Sequence, residues 1–470
     1  SDENIIAGKI MYFQTQIASA LARVRQSAAP IVSMSQAAHL LLLLIPFVLF
    51  RVWSSLRWGI TTDGDGAAEL GVVLGNYWIG DTTLDLLTET GGIITVNEFL
   101  ADRGTQLLYP LLISLHGPVG WNLETHILVL NTFLGATMVT GSYYVGLRLS
   151  GKTYAVLVAL LSCSLTPLYG ISRAAVVDNL FYAMLPLVLL TLINWLRHRT
   201  STRLLLMTGT FILFLSTRPE SAIVVLMVLV VVTWDFLYNR FSLRTAITSV
   251  TVVAVLTAIG GLMYLSSPPN STLDCRMGLT ASDPRNVTSR RLGPRCTHPI
   301  FSRAHLAWGL SASSQTLLNT GGDELDRILY HYDDLLRAEV LRREEVTWVM
   351  SLDAIDVIAQ NPLQHFAKIP LRALLFLFPW TYQDWSLRHI AYEAVYTLFL
   401  VGGMLLLLRH GWKQLIVRAV LAIPLSILLF LSAYGIDNDL KHRNGIFVAL
   451  HLIAPLGYFL PSRNTDIDHG

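Results

Sequence analysis

Charge is what this chain has least of. Charged residues make up 14% of it, against roughly 25% in an ordinary soluble domain. Hydrophobic residues make up 53% and the mean hydropathy is +0.51. A soluble protein of 470 residues cannot hide so much apolar surface, even with the favourable surface-to-volume ratio of a large domain. Cysteine is nearly absent. Cys163, Cys275 and Cys296 are the three present, which excludes a cysteine-only metal cluster and permits one disulfide. Lysine is scarce, and most of the basic residues are arginine. There is no P-loop, no His-Glu-x-x-His, no dinucleotide glycine fingerprint after a strand and no basic–aromatic nucleic-acid surface. A nucleotide-driven pump and a nucleic-acid partner are therefore not expected. Residues 1–34 lack a short apolar core followed by a small-residue cleavage site, so they do not read as a signal peptide. They are mildly amphipathic and suit the cytoplasmic leaflet or a neighbouring surface.

What the chain does have is a series of apolar runs, which predict an all-α polytopic membrane protein. The spans fall at about 39–58, 123–147, 153–171, 175–196, 204–217, 221–237, 244–265, 391–408, 414–434 and 445–461. The runs 204–217 and 221–237 are read as two spans joined by a tight turn at Thr217-Arg218-Pro219-Glu220. The run 366–380 is too short to cross and is read as a re-entrant or interface-lying helix ending in an aromatic group suited to headgroup level. The total is about ten spans. No internal repeat is evident.

Short-loop positives orient the chain. Arg23 and Arg25, Arg148 and Lys152, Arg197 to Arg203, Arg240 and Arg244, and Arg409 and Lys413 all fall in loops of one parity. That parity places the N-terminus in the cytoplasm. The long loops 59–122 and 267–390 then face outward. The chain divides into a cytoplasmic N-terminal segment 1–38, a transmembrane core 39–266 that includes the acidic loop, the outer region 267–390, and a C-terminal transmembrane region 391–470. Asp81–Glu89 is weakly helical in pattern, and 324–360 has helix-like spacing. Cysteines introduced at Gly92 and Ser313 should react with an impermeant thiol reagent added from outside intact cells. Labelling only after permeabilisation would overturn the topology.

Thr61-Thr62-Asp63-Gly64-Asp65-Gly66-Ala67-Ala68-Glu69 follows the first span directly. Gly64 and Gly66 permit tight backbone geometry around the two acids, and Asp65 and Glu69 have i,i+4 spacing on any helix that starts there. Paired carboxylates at a membrane surface suit general-base chemistry, a divalent metal, or both. Capping of a helix near Ala67 by Asp63 or Asp65 is the structural alternative. Asp178 stands in an apolar helix with Arg173 five residues earlier, and an intramembrane acid is usually functional or paired. Arg218 and Glu220 form a further outer cluster, and Lys441 and Arg443 precede the last span. Such cations can clamp phosphate oxygens or snorkel to headgroups. Cys275 and Cys296 share the second outer loop, and their spacing suits a disulfide in an oxidising compartment.

With these motifs the layout resembles the polytopic glycosyltransferases of the GT-C superfamily, nearest the branch of protein O-mannosyltransferases and aminoarabinose transferases. The likeness runs over about 39–460 and is carried by the acidic motif after the first span, Asp178 at a later outer helix start, Gln106-Leu107-Leu108-Tyr109-Pro110-Leu111, Thr217-Arg218-Pro219-Glu220 and Ala359-Gln360-Asn361-Pro362. Those enzymes commonly carry an acidic dipeptide or other spacing where glycines separate the acids here, so Asp63 and Asp65 both stay open as the base. The resemblance implies juxtamembrane helices over a transmembrane core. It also implies a polyprenyl-phosphate sugar donor, a hydroxyl-bearing acceptor that is lipid, glycan or protein, and inverting transfer outside the cytoplasm, as at a bacterial inner membrane with the site facing the periplasm. Asp63, Asp65 and Glu69 would be catalytic, while Arg173, Asp178, Arg218, Glu220, Lys441 and Arg443 would serve the donor or its phosphate. A divalent metal stays open, since a lipid monophosphate can leave against arginines alone. A transporter or flippase of a lipid-linked saccharide, or a polysaccharide polymerase or ligase, is the alternative.

Overall fold

The computed structural model describes residues 34–60, 71–72, 74–75, 78, 86–87, 93–94, 108–164, 173–239, 352, 355–360, 362–377, 387–434 and 440–459. In chain order the helices are α1 (Gln36–Trp58), α2 (Leu108–Ser114), α3 (His116–Val119), α4 (Leu123–Ser150), α5 (Lys152–Ser164), α6 (Asp178–His198) and α7 (Ser201–Leu215). They continue with α8 (Pro219–Asn239), α9 (Pro362–Leu377), α10 (Leu387–Gly411), α11 (Leu415–Tyr434) and α12 (Leu440–Ile453), which runs into a 3₁₀ turn at Ala454–Tyr458. Among the described residues the regular structure is helical apart from a two-residue antiparallel pairing of Leu86–Leu87 with Ile93–Ile94. The weak helical pattern over Asp81–Glu89 is thus corrected at Leu86–Leu87, where two leucines side by side suit extended backbone as well as helix. The expected span at 244–265 lies outside the described residues.

Local signals account for the helix starts. Ser35, Asn122 and Thr200 each accept a hydrogen bond from the amide three residues on, at 3.2, 2.8 and 3.4 Å, which satisfies one of the orphan amides of the first turn. Four helical stretches are long and apolar enough to cross a membrane: Gln36–Trp58, Asp178–His198, Ala394–Gly411 and Leu415–Ala433. The chain is a helical membrane protein. Burial ranks these helices. The apolar window of α6 is 78% buried and that of α1 only 22%, so α6 is the central post and α1 lies at the edge, with Leu41, Leu42, Leu49 and Leu56 exposed.

Side-chain contacts fix the direction of each helix. At one end of the bundle His39 of α1 meets the Tyr143 hydroxyl of α4 at 2.8 Å, and Lys152 reaches the Met34 carbonyl at 3.3 Å. At the other end Arg173 reaches Trp58. Tyr154, at the start of α5, donates to the Leu452 carbonyl at 2.8 Å, which brings the end of α12 to the Lys152 side. Asp235 near the end of α8 pairs with Arg418 near the start of α11, so those two helices are antiparallel.

One crossing depends on glycine. A Cβ on Gly403 of α10 would lie 2.2 Å from the Ala454 carbonyl oxygen, and one on Gly457 would lie 2.0 Å from the Gly403 oxygen. Close backbone approach of this kind is how small residues pack membrane helices. Tyr458 locks the contact by donating to the Phe399 carbonyl at 2.7 Å. Gly403→Ala and Gly457→Ala should each destabilise the protein by about 1–3 kcal/mol, read as a lower melting temperature in detergent. Gly209→Ala on α7, where a Cβ meets nothing within 4 Å, should leave the melt unchanged or raise it slightly.

Candidate functional site

The turn between α7 and α8 is built from its own sequence. Thr217 Oγ1 donates to the Phe214 carbonyl at 2.6 Å, closing α7. Pro219 opens α8, where its missing N–H costs nothing. Ser221 reaches back to accept from the Arg218 amide at 3.2 Å, as the third residue of a capping box does. This turn points the Arg218 side chain inward, where it is 8% exposed.

Arg218 holds two acids. Its Nη2 lies 2.8 Å from Glu220 Oε1 and its Nε donates to Oε2 at 3.1 Å, a bidentate clasp. Its Nη1 pairs with Asp178 Oδ1 on the neighbouring helix α6. Asp178 and Glu220 are 2% and 3% exposed, and each stands in the first turn of its helix, where the backbone dipole favours a carboxylate. The Arg218 guanidinium also sits 5.8 Å from the centre of the Phe181 ring. Burying such a cluster is tolerable only because both fork edges and both helix ends are used.

A second network ties this cluster to the first span. Asn131 of α4 accepts from the Tyr109 hydroxyl at 2.6 Å and donates to the Ala174 carbonyl at 3.0 Å. Asn179 donates to the same carbonyl at 3.0 Å. Arg51 of α1 donates to the Asn131 carbonyl at 3.1 Å in the space Gly135 leaves, since a Cβ there would fall 2.7 Å from the guanidinium carbon. Arg173 has a different partner from Asp178. Its Nη1 donates to the Trp58 carbonyl at 3.2 Å and its guanidinium lies 5.6 Å from the Trp58 ring centre, a cation at the negative end of α1.

Among the residues picked from sequence, the structure therefore brings Asp178, Arg218 and Glu220 into one cluster and sets Arg173 on α1 beside it. Lys441 and Arg443 fall in the first turn of α12. A Cβ on Gly445 would lie 3.2 Å from Phe181 and 3.9 Å from Tyr182, one turn beyond Asp178 on α6. The two helices run the same way, so the register puts Lys441 level with Asp178. Asp63, Asp65 and Glu69, and the pair Cys275 and Cys296, lie outside the described residues. The described ends of the acidic segment are well placed. Ile60 packs on the core two residues after Trp58, and a Cβ on Gly71 would lie 2.3 Å from Ile113 of α2.

Sequence reading missed Arg51, Asn131, Asp235, Arg372 and Arg418. A polar residue inside an apolar run was the available signal for Asn131 and Asp235, and it does not say which partner will be met. Among the described residues no group of three or more His, Cys, Asp or Glu side chains is placed to hold a metal ion. Comparison with protein families and with curated proteins finds no match.

Proposed function

We propose that the protein transfers a sugar from a polyprenyl-phosphate donor to a hydroxyl acceptor at the outer membrane face, on a GT-C-like core of about ten spans. One observation carries the reading. The acidic segment leaves the described structure at Ile60, two residues after the Trp58 that Arg173 contacts, and returns at Gly71, which packs against Ile113 of α2. Tyr109 of α2 and Arg51 of α1 both converge through Asn131 on Ala174, four residues before Asp178. Three residues span at most about 11 Å, so Asp63 is tethered within that distance of Ile60. A base in this segment would act close to the end of the bundle that carries Arg173, and this supports the reading.

In this reading Asp63 or Asp65 takes the proton from the acceptor hydroxyl, with Glu69 beside them. Arg173, half-buried on Trp58, and Lys441 and Arg443 on α12 meet the donor phosphate and stabilise the charge of the leaving group. Arg218 is engaged by Asp178 and Glu220, so these three act as positioning residues that hold α6 against α8. The outer region 267–390, stapled by Cys275–Cys296, selects the acceptor, and the site faces the periplasm of a bacterial inner membrane.

The test is incubation of the purified protein with a radiolabelled polyprenyl-phosphate sugar and a panel of hydroxyl acceptors. Transfer of label, with release of polyprenyl phosphate, is the expected result. Movement of intact donor across a liposome bilayer without transfer would replace this reading with the flippase.

A further inference from the structure

The end of the bundle opposite Arg218 carries cations with little to balance them. Arg148 stands in the last turn of α4, Arg197 in the last turn of α6 and Arg203 in the first turn of α7. Helices α4 and α6 run the same way: Asn131 bonds the Ala174 carbonyl, and a Cβ on Gly141 would lie 2.8 Å from Pro186. Their last turns therefore come out level, and the charge of Arg148 acts on Arg197. Arg203 Nη1 donates to the Asn194 carbonyl at 3.5 Å, one turn before Arg197 on α6. Three arginines from three helices thus share one corner.

Among the described residues the acid at this end is Asp235, and it is taken: it pairs with Arg418 and its charge acts on Arg199. The ion pairs of the described residues hold Arg218 and Arg418, and the three corner arginines are not among them. Arg148 is exposed, and Arg197 and Arg203 are half-buried. Of the Arg197 guanidinium only Nε is buried without a partner, which leaves its two Nη groups as the open edge. Like charges this close repel unless an anion lies between them. The surroundings say which anion. Leu205 and Leu206, in the turn of α7 that follows Arg203, are 73% and 61% exposed, so the corner stands where headgroups give way to acyl chains.

We propose that this corner binds an anionic phospholipid, its phosphate oxygens accepting from Arg148, Arg197 and Arg203 and its acyl chains lying along Leu205 and Leu206. A guanidinium edge matches two phosphate oxygens, and basic pockets between membrane helices hold lipid headgroups in this way. A headgroup with net negative charge offsets the surplus of cations, whereas a zwitterionic one brings a cation of its own. The site lies at the opposite end of the bundle from the acidic segment. The inference is independent of sugar transfer, because it concerns retention of a lipid and not turnover.

Native mass spectrometry of the full chain in detergent tests it, with phosphatidylglycerol as probe and phosphatidylcholine of the same chains as the comparison lipid. Arg148→Gln with Arg203→Gln removes two of the three cations and leaves the half-buried Arg197 in place. Retention of phosphatidylglycerol should fall about tenfold, in line with the attraction of basic residues to an anionic lipid. Retention of phosphatidylcholine and the melting temperature without added lipid should match the parent. Arg409→Gln with Lys413→Gln removes two exposed cations from the same end, on α10 and the turn after it, and α10 packs chiefly on the 3₁₀ turn. That second variant should retain phosphatidylglycerol as the parent does. Equal retention of phosphatidylglycerol by the first variant and the parent would overturn the proposal. So would an equal loss in the second variant, since the lipid would then be reading the charge of the whole end and not this corner. An equal loss of phosphatidylcholine would overturn it too. Displacement of phosphatidylglycerol by millimolar inorganic phosphate would assign the corner to a free anion and overturn its lipid character.

Discussion

Asp65→Asn or Asp63→Asn is expected to lower sugar transfer by about 10²–10⁴, the range typical of losing a positioned general base. Asparagine caps a helix about as well as aspartate, so the substitution keeps size and capping while removing the charge a base needs. The two acids are tested side by side because Gly64 leaves their roles open. The fold should survive, since the described packing on either side of the segment, Trp58 under Arg173 and Gly71 on Ile113, involves neither carboxylate. Initial rates with a labelled polyprenyl-phosphate sugar, set against melting temperature and donor binding, make the measurement. Full activity in both variants would return the segment to a helix cap. A fall in rate that tracks a fall in stability would make the acids structural. Partial loss in both points to a shared proton, metal or hydroxyl, and adding chelator and then divalent metal to each variant separates the metal from the others.

Arg218→Gln is the change expected to cost the most stability. It removes the guanidinium that clasps Glu220 at 2.8 and 3.1 Å and pairs with Asp178, and it leaves those carboxylates buried. Removing one partner from a buried ion cluster typically costs about 3–5 kcal/mol. Arg218→Lys should recover only part of this, because an ammonium cannot present both fork edges to two acids. Arg173→Gln is the matched control, since its guanidinium is only half-buried on Trp58 and its removal should shift the melt far less. Chemical denaturation in detergent, followed by tryptophan fluorescence, reads all three. An Arg218→Gln protein as stable as its parent would show that α6 and α8 do not depend on the cluster. Where Arg218→Gln destabilises as expected, adding Asp178→Asn should regain part of the loss, because it removes one of the two carboxylates left buried without the guanidinium.

Much of the helical layout was legible because a bilayer imposes one dominant rule, that apolar runs must be helical. The tight turn at Thr217-Arg218-Pro219-Glu220 is an example. It carries a proline at the first helical position and a serine two residues after it, and α7 ends and α8 begins there as the sequence reading has them. A short helix was also expected over 366–380, and α9 (Pro362–Leu377) lies there. The two-residue pairing at Leu86–Leu87 was not legible, since periodicity over so few residues does not separate strand from helix.

The partners were harder to read than the elements. Sequence put Arg173 beside Asp178 because they are five residues apart, whereas the fold gives Asp178 the arginine forty positions away. Within one helix, spacing sets which side chains are neighbours. Between helices the neighbour is set by packing angle and register, and these follow from contacts such as Gly445 on Phe181 or Gly403 on Ala454 that no local pattern encodes. The sequence by itself determined that this is a helical membrane protein, where several of its helices begin, and that acids and arginines collect at the ends of its apolar runs, because hydropathy and charge act residue by residue. Only the tertiary structure decided that Asp178, Arg218 and Glu220 form one buried cluster, that Asn131 ties it to the first span, and that Arg148, Arg197 and Arg203 share one corner, because burial and pairing are properties of surfaces that meet only when the helices pack.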